Sequence, residues 1–89
     1  MNIEELAFFH ELEGLVLVDG FDDAFMGLGS RVNDDDVAIY DEEKMIDILI
    51  NRDEMSAEEA REYFEYNIRG AFYGERTPIY LSRLIMEYD

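Results

Sequence analysis

Cysteine is absent from this chain, which excludes disulfides and thiolate metal sites. Tryptophan is absent too, and proline, histidine and lysine occur once each, as Pro78, His10 and Lys44. A lone histidine without a second His or Cys partner makes a poor metal site, and nothing near His10 positions a nucleophile. No Gly-rich phosphate loop, Gly-x-Ser-x-Gly or His-Glu-x-x-His occurs. The sequence therefore presents no catalytic pattern, no metal site and no cofactor site. Positive charge is scarce as well, at seven Lys and Arg against 23 Asp and Glu. Residues 1–30 hold seven acids and no Lys or Arg.

What is present makes a folded domain. Hydrophobic residues are 48% of the 89, with six Phe and six Tyr, so the chain is not intrinsically disordered despite a net charge of −16. The length predicts a single domain over 1–89, burying roughly 60–65% of its unfolded surface. Charge is unevenly spread: residues 1–40 hold ten acids and one base, and residues 41–89 hold thirteen acids and six bases. Such a field repels nucleic acid and anionic membrane and attracts basic partners. The longest apolar run is too short to span a bilayer, and the start Met-Asn-Ile-Glu-Glu lacks the basic segment of a signal peptide. The expected location is the cytoplasm.

Local signals agree with one another along the chain. Residues 2–12 read as a helix capped by Asn2, with Ile3, Leu6, Ala7 and His10 on one face. Leu15–Val18, Ala24–Leu28 and Val37–Tyr40 read as three strands of an antiparallel meander, with Asp19–Asp23 as a hairpin connection. Asp41 caps a helix over about 42–52, with Met45, Ile48 and Leu49 inward and Ile46 and Ile50 broadening that face. Ser56-Ala57-Glu58-Glu59 is a capping box opening a helix over 57–69. That helix is expected to bury Ala60, Tyr63, Phe64, Ile68 and Ala71, with Glu65 and Arg69 paired on its wet face. Pro78 cannot donate to a central ladder, so Ile79–Leu81 reads as an edge strand. A C-terminal helix capped by Thr77, with Leu81, Leu84, Ile85 and Tyr88 inward, is the alternative. The expected fold class is α+β: a small antiparallel sheet of three strands, plus a C-terminal edge strand, packed against two or three helices.

Several of these segments carry a resemblance. Asp22–Gly27, Ala38–Asp41, Lys44–Ile50, Arg52-Asp53, Met55–Ala60, Glu62–Asn67, Gly70-Ala71 and Gly74–Pro78 are similar to a small family of uncharacterised acidic proteins of bacteriophages and prokaryotic genomes. The resemblance covers about residues 20–81. Glu54 stands where that family's pattern has Gly, which touches only the turn between the two helices. The resemblance implies a viral or mobile-element origin, hence a host cytoplasm, and supplies no catalytic residue.

Three groups are candidates for function. Asp34, Asp35 and Asp36, with Asp22 and Asp23, lack the spacing, glycine and terminal Glu of a calcium loop and read as solvated acidic loops. As a group they are candidates for contact with a basic partner. Tyr66 joins them, because helical phase turns it away from the buried face. Asn67 and Tyr73 form a candidate pocket; the structural alternative is that Asn67 ties the helix end to neighbouring backbone.

These readings lead to three expectations. The first is a protein-interaction module that uses its negative surface, such as a DNA mimic or an inhibitor of a host nucleic-acid-binding protein. Its partner is then a basic or nucleic-acid-binding protein, with no direct contact to nucleic acid or membrane; a homodimer is also allowed. The second is acidity as solubility or salt adaptation, which one Lys against six Arg favours and eight Ile oppose. The third is a small ligand-binding domain using the Asn67–Tyr73 region.

Overall fold

The computed structural model describes residues 14–83. The expected N-terminal helix over 2–12 with His10, and Leu84, Ile85 and Tyr88 of the alternative C-terminal helix, lie outside the described residues; the start of that alternative is overturned, because Ile79–Leu81 form a strand. The fold is α+β, a three-stranded sheet whose Ala38 and Tyr40 pack with the described helices in one core. In chain order it comprises a 3-10 turn at Asp22–Ala24, β1 (Phe25–Gly29), β2 (Val37–Asp41), α1 (Glu42–Arg52), α2 (Ala57–Tyr63), a π-helical turn (Phe64–Arg69) and β3 (Ile79–Leu81).

The sheet is mixed rather than purely antiparallel. β1 and β2 form an antiparallel hairpin, while β3 lies parallel to β2 on its other side. A parallel neighbour needs a crossover, and α1, α2 and the π-helical turn supply it. β3 is therefore an edge strand, as Pro78 requires, with Ile79, Tyr80 and Leu81 opposite Ile39, Tyr40 and Asp41. Met26 is an extra residue in β1, bulged out between Phe25 and Gly27.

The expected first strand, Leu15–Val18, is not a strand. Gly20, at φ +85°, turns the chain, and Phe21 drives into the core instead of staying in a hairpin loop. The 3-10 turn that follows, closed by the Ala24 amide on the Phe21 carbonyl at 2.9 Å, uses up the residues a hairpin would need. The segment is held by a side chain instead: the Val18 amide donates to the Tyr40 hydroxyl at 2.9 Å. Leu15, Leu17 and Val18 pack against the core from there.

The helix starts match their sequence signals. Asp41 ends β2 and caps α1, its Oδ1 accepting from the Lys44 amide at 3.3 Å. Ser56 and Glu59 exchange both capping-box bonds at 3.1 Å. The bond from the Ser56 amide holds the Glu59 carboxyl below the ordinary range. Between the helices, Glu54 adopts φ +57° and the Met55 amide returns to the Leu49 carbonyl at 3.3 Å. A left-handed residue after a helix end is most easily glycine, which explains why Gly suits the place that Glu54 fills.

The helix expected over 57–69 changes hand-hold halfway. It is α-helical to Tyr63 and π-helical from Phe64 to Arg69. Ala60, Phe64 and Ile68, four residues apart, stay in line through the wider turn and are buried. Tyr63 comes out at 42% exposed, so the expected burial fails there, and Ala71 is only half-buried. The core is Phe21, Ala24, Ala38, Tyr40, Met45, Ile46, Leu49, Ala60, Phe64 and Ile68. Tyr40 stands edge-on to Phe25 (centroids 5.7 Å apart), and Tyr80 edge-on to Phe64 (5.5 Å).

Two outcomes follow for stability. Phe64→Ala is expected to cost about 3–5 kcal/mol through the cavity it opens, and Ser56→Ala about 1 kcal/mol through the lost cap, both read by chemical denaturation. Equal costs would mean the helix phase is wrong. The two core tyrosines should also part company. Tyr40→Phe strands the Val18 amide and is expected to cost about 1 kcal/mol. The Tyr80 hydroxyl is buried without a hydrogen-bond partner among the described residues, and burial pushes its pKa up to about 12. Tyr80→Phe is therefore expected to be neutral or stabilising, and a loss as large as that of Tyr40→Phe would contradict this assignment.

Candidate interaction surface

One concave feature begins with Arg52, the last residue of α1. Its guanidinium lies 5.0 Å from the centroid of the Phe21 ring. Nη1 donates to the Gly20 carbonyl at 2.5 Å, while Nε and Nη2 donate to the two oxygens of Asp53 at 3.1 and 3.0 Å. This fork holds the Asp53 carboxyl below the ordinary range. It also explains Gly20, because a Cβ there would come 3.1 Å from Nη1.

The opposite end is closed by the exit of β3. Arg83 Nη2 meets Asp41 Oδ2 at 2.8 Å, and the Ser82 hydroxyl donates to Glu42 at 2.6 Å. Asp41 is buried, and its two oxygens are shared between the cap and this ion pair.

Between the two arginines lies an open cleft of about 1130 Å³. The 3-10 turn contributes Asp22 and Asp23 to one wall. α1 contributes Glu43, Asp47 and Asn51 to the other, at the i, i+4, i+8 spacing of a single helix face, together with Lys44 and Ile48. Five carboxylates thus line the cleft beside three cations, and two of those cations are already committed. Glu43 is shared with Arg61 at 3.4 Å. Asp22, Asp23 and Asp47 enter none of the five ion pairs formed among the described residues.

The five aspartates singled out in the sequence do not form one patch. Asp22 and Asp23 precede β1, and Asp34, Asp35 and Asp36 follow it. Five strand residues separate the two groups, roughly 17 Å. In the second group, Asp34 pairs with Arg31 at 2.7 Å, and the Asp36 carbonyl accepts two bonds from Arg76 at 2.9 and 2.6 Å. Glu43 and Asp47, which sequence reading left out, complete the first group instead. Their four-residue spacing was the available signal.

Tyr66 is 82% exposed, on the wet side of the π-helical turn. Asn67 and Tyr73 are also exposed, and neither lines this cleft. The Tyr73 amide donates to the Thr77 hydroxyl at 2.8 Å. Among the described residues no group of three His, Cys, Asp or Glu is placed to hold a metal ion, and no helix is long and apolar enough to cross a membrane.

Comparison of the chain with protein-family models, with curated proteins and with solved structures returns no match. The geometry of the chain itself therefore carries the functional reading.

The fork at Arg52 is testable without changing charge. Arg52→Lys keeps the cation but cannot bridge Gly20 and Asp53 together. Hydrogen exchange at the Ala24 amide, which closes the 3-10 turn, is expected to speed up by about tenfold, the scale of one lost charge-assisted bond. Unchanged exchange would show that Phe21 alone holds this wall of the cleft.

Proposed function

We propose that this chain is a protein-interaction module whose negative surface docks a basic, nucleic-acid-binding protein of a host cell and competes there with nucleic acid. The observation that carries the reading is the cleft in which Asp22 and Asp23 face Glu43 and Asp47 while Arg52 and Arg83 are tied to neighbours. Five carboxylates against three cations leave the lining of the cleft net negative, which favours an incoming basic group.

Magnitude supports the reading. The longest dimension of the molecule is 38 Å. Duplex DNA of that length carries roughly 22 charges at one per about 1.7 Å. A net −16 is of the same order. The acids also fall into two groups about one strand apart, so a basic groove would meet charge at both ends of β1. The resemblance over residues 20–81 agrees with a phage protein acting in the host cytoplasm. No catalytic step, metal or cofactor enters this reading.

The test is capture from a host lysate at low salt, followed by elution with salt and with duplex DNA. Recovery of a nucleic-acid-binding protein that DNA displaces is expected. Binding should fall steeply with salt, because the Debye length shrinks from about 10 Å at 0.1 M to about 3 Å at 1 M. The combined variant Asp22→Asn, Asp23→Asn, Glu43→Gln, Asp47→Asn should bind at least about tenfold more weakly, since charge pairs across interfaces are each worth a measurable share of affinity. A variant that binds like the parent, or the recovery of nothing that DNA displaces, would overturn the proposal.

A further inference from the structure

The sheet has a second face, turned away from the helices formed among the described residues. Residues paired across the strands share a face, so Gly27, Gly29, Val37, Ile39, Ile79 and Leu81 lie opposite to Tyr40. Val37, Ile39, Ile79 and Leu81 take no part in the core, and Ile79 is 46% exposed and Leu81 40%. Gly29 has no side chain to cover this face, and a Cβ there would come 2.9 Å from Ile39 Cδ1 and 3.6 Å from Ile79 Cδ1.

At the end of this face nearest the 30–36 loop lies a recess of about 260 Å³. Gly29, Val37 and Ile79 give it an apolar floor, and Asp34, Asp35 and Glu75 an acidic rim. Arg31 also lines it, but its guanidinium is paired with Asp34 at 2.7 Å. Asp35 and Glu75 enter none of the ion pairs formed among the described residues. The volume falls below the roughly 300–1,000 Å³ of pockets for drug-sized ligands and suits a single long side chain.

We propose that this recess receives one lysine or arginine side chain of a basic protein partner. The alkyl stem lies along Val37 and Ile79, and the cation sits between Asp35 and Glu75. Long cationic side chains bury their stems on apolar surface and keep their heads among charges or water, which is the division of surface found here. A second copy of the chain is a poor occupant, because it brings another −16 to the same face. The inference rests on the reading of a basic partner only for the source of the side chain. It adds a contact about one strand length from the cleft, so that one partner engaging both gains avidity.

The test uses side-chain analogues on the full-length 15N-labelled chain. n-Butylguanidinium and n-butylammonium are titrated while amide shifts are followed, with guanidinium and n-butanol as head-only and stem-only controls. Shifts are expected at Gly29, Val37, Glu75 and Ile79, with Kd on the order of 1–10 mM. Whichever analogue binds more tightly identifies the preferred residue, and each control should bind at least about fivefold more weakly than that analogue. Asp35→Asn with Glu75→Gln, and separately Ile79→Thr, should each weaken binding to a similar degree while the rest of the spectrum stays in place. Controls that match the analogues, or shifts that gather at Asp22 and Asp47 instead, would overturn the inference. The lysate capture separates the two claims. If Asp35→Asn with Glu75→Gln captures the basic partner as well as the parent does, the recess fails and the cleft reading stands. If the parent captures none, the cleft reading fails whatever the analogues do.

Discussion

The structure turns on the burial of Tyr40. Its ring fills the middle strand, with Phe25 edge-on from β1 and Tyr80 beside it from β3. A buried phenol must spend its hydroxyl, and this one spends it on the backbone of Val18. One residue therefore joins the sheet, the aromatic core and a segment that has no ladder of its own. The neighbouring Asp41 extends the same logic. It closes β2, starts α1 and anchors Arg83 beyond β3, so three elements share one buried carboxylate.

Much of this was legible in the chain because the deciding interactions are short-range. Asp41, Ser56 with Glu59, and Glu65 with Arg69 act within four residues, and the structure shows each pairing. Pro78 foretold an edge strand for the same reason. What escaped sequence reading depends on distant partners. Leu15–Val18 has strand composition, yet its fate was set by a hydroxyl 22 residues away. The parallel sense of β3 depends on where two helices deliver the chain. Spacing of four at Ala60, Phe64 and Ile68 suits α- and π-helix alike, so the change of winding left no mark in the pattern. Of the candidate surface, Asp22 and Asp23 were visible as a charge pair. Their partners Glu43 and Asp47 were only a helix face without a known neighbour.

Charge in this protein is organised by what happens to its few cations. Arg31, Arg52, Arg61, Arg69 and Arg83 each bind an acid close at hand, and Arg76 supports the Asp36 carbonyl. Exposed pairs of this kind add little stability. Their effect is on orientation: they hold arginines down along loops and helix ends, so the unspent carboxylates face outward. The field is shaped as much by where positive charge is kept as by where negative charge lies.

The π-helical turn has a consequence for chain length. Bonds from i to i+5 take up more chain per turn than an α-helix does. Deleting one residue between Phe64 and Arg69 would let the segment rewind as α-helix through nearly the same total angle, because the wider winding is what takes up that residue. Gly70 to Thr77 would then leave the helix in much the same direction, and β3 could keep its place beside β2. A relative lacking the π-helical turn should therefore carry a one-residue gap here, with the loop before its last strand unchanged in length. The extra residue is absorbed within the helix, so the wider turn leaves the register of the sheet untouched.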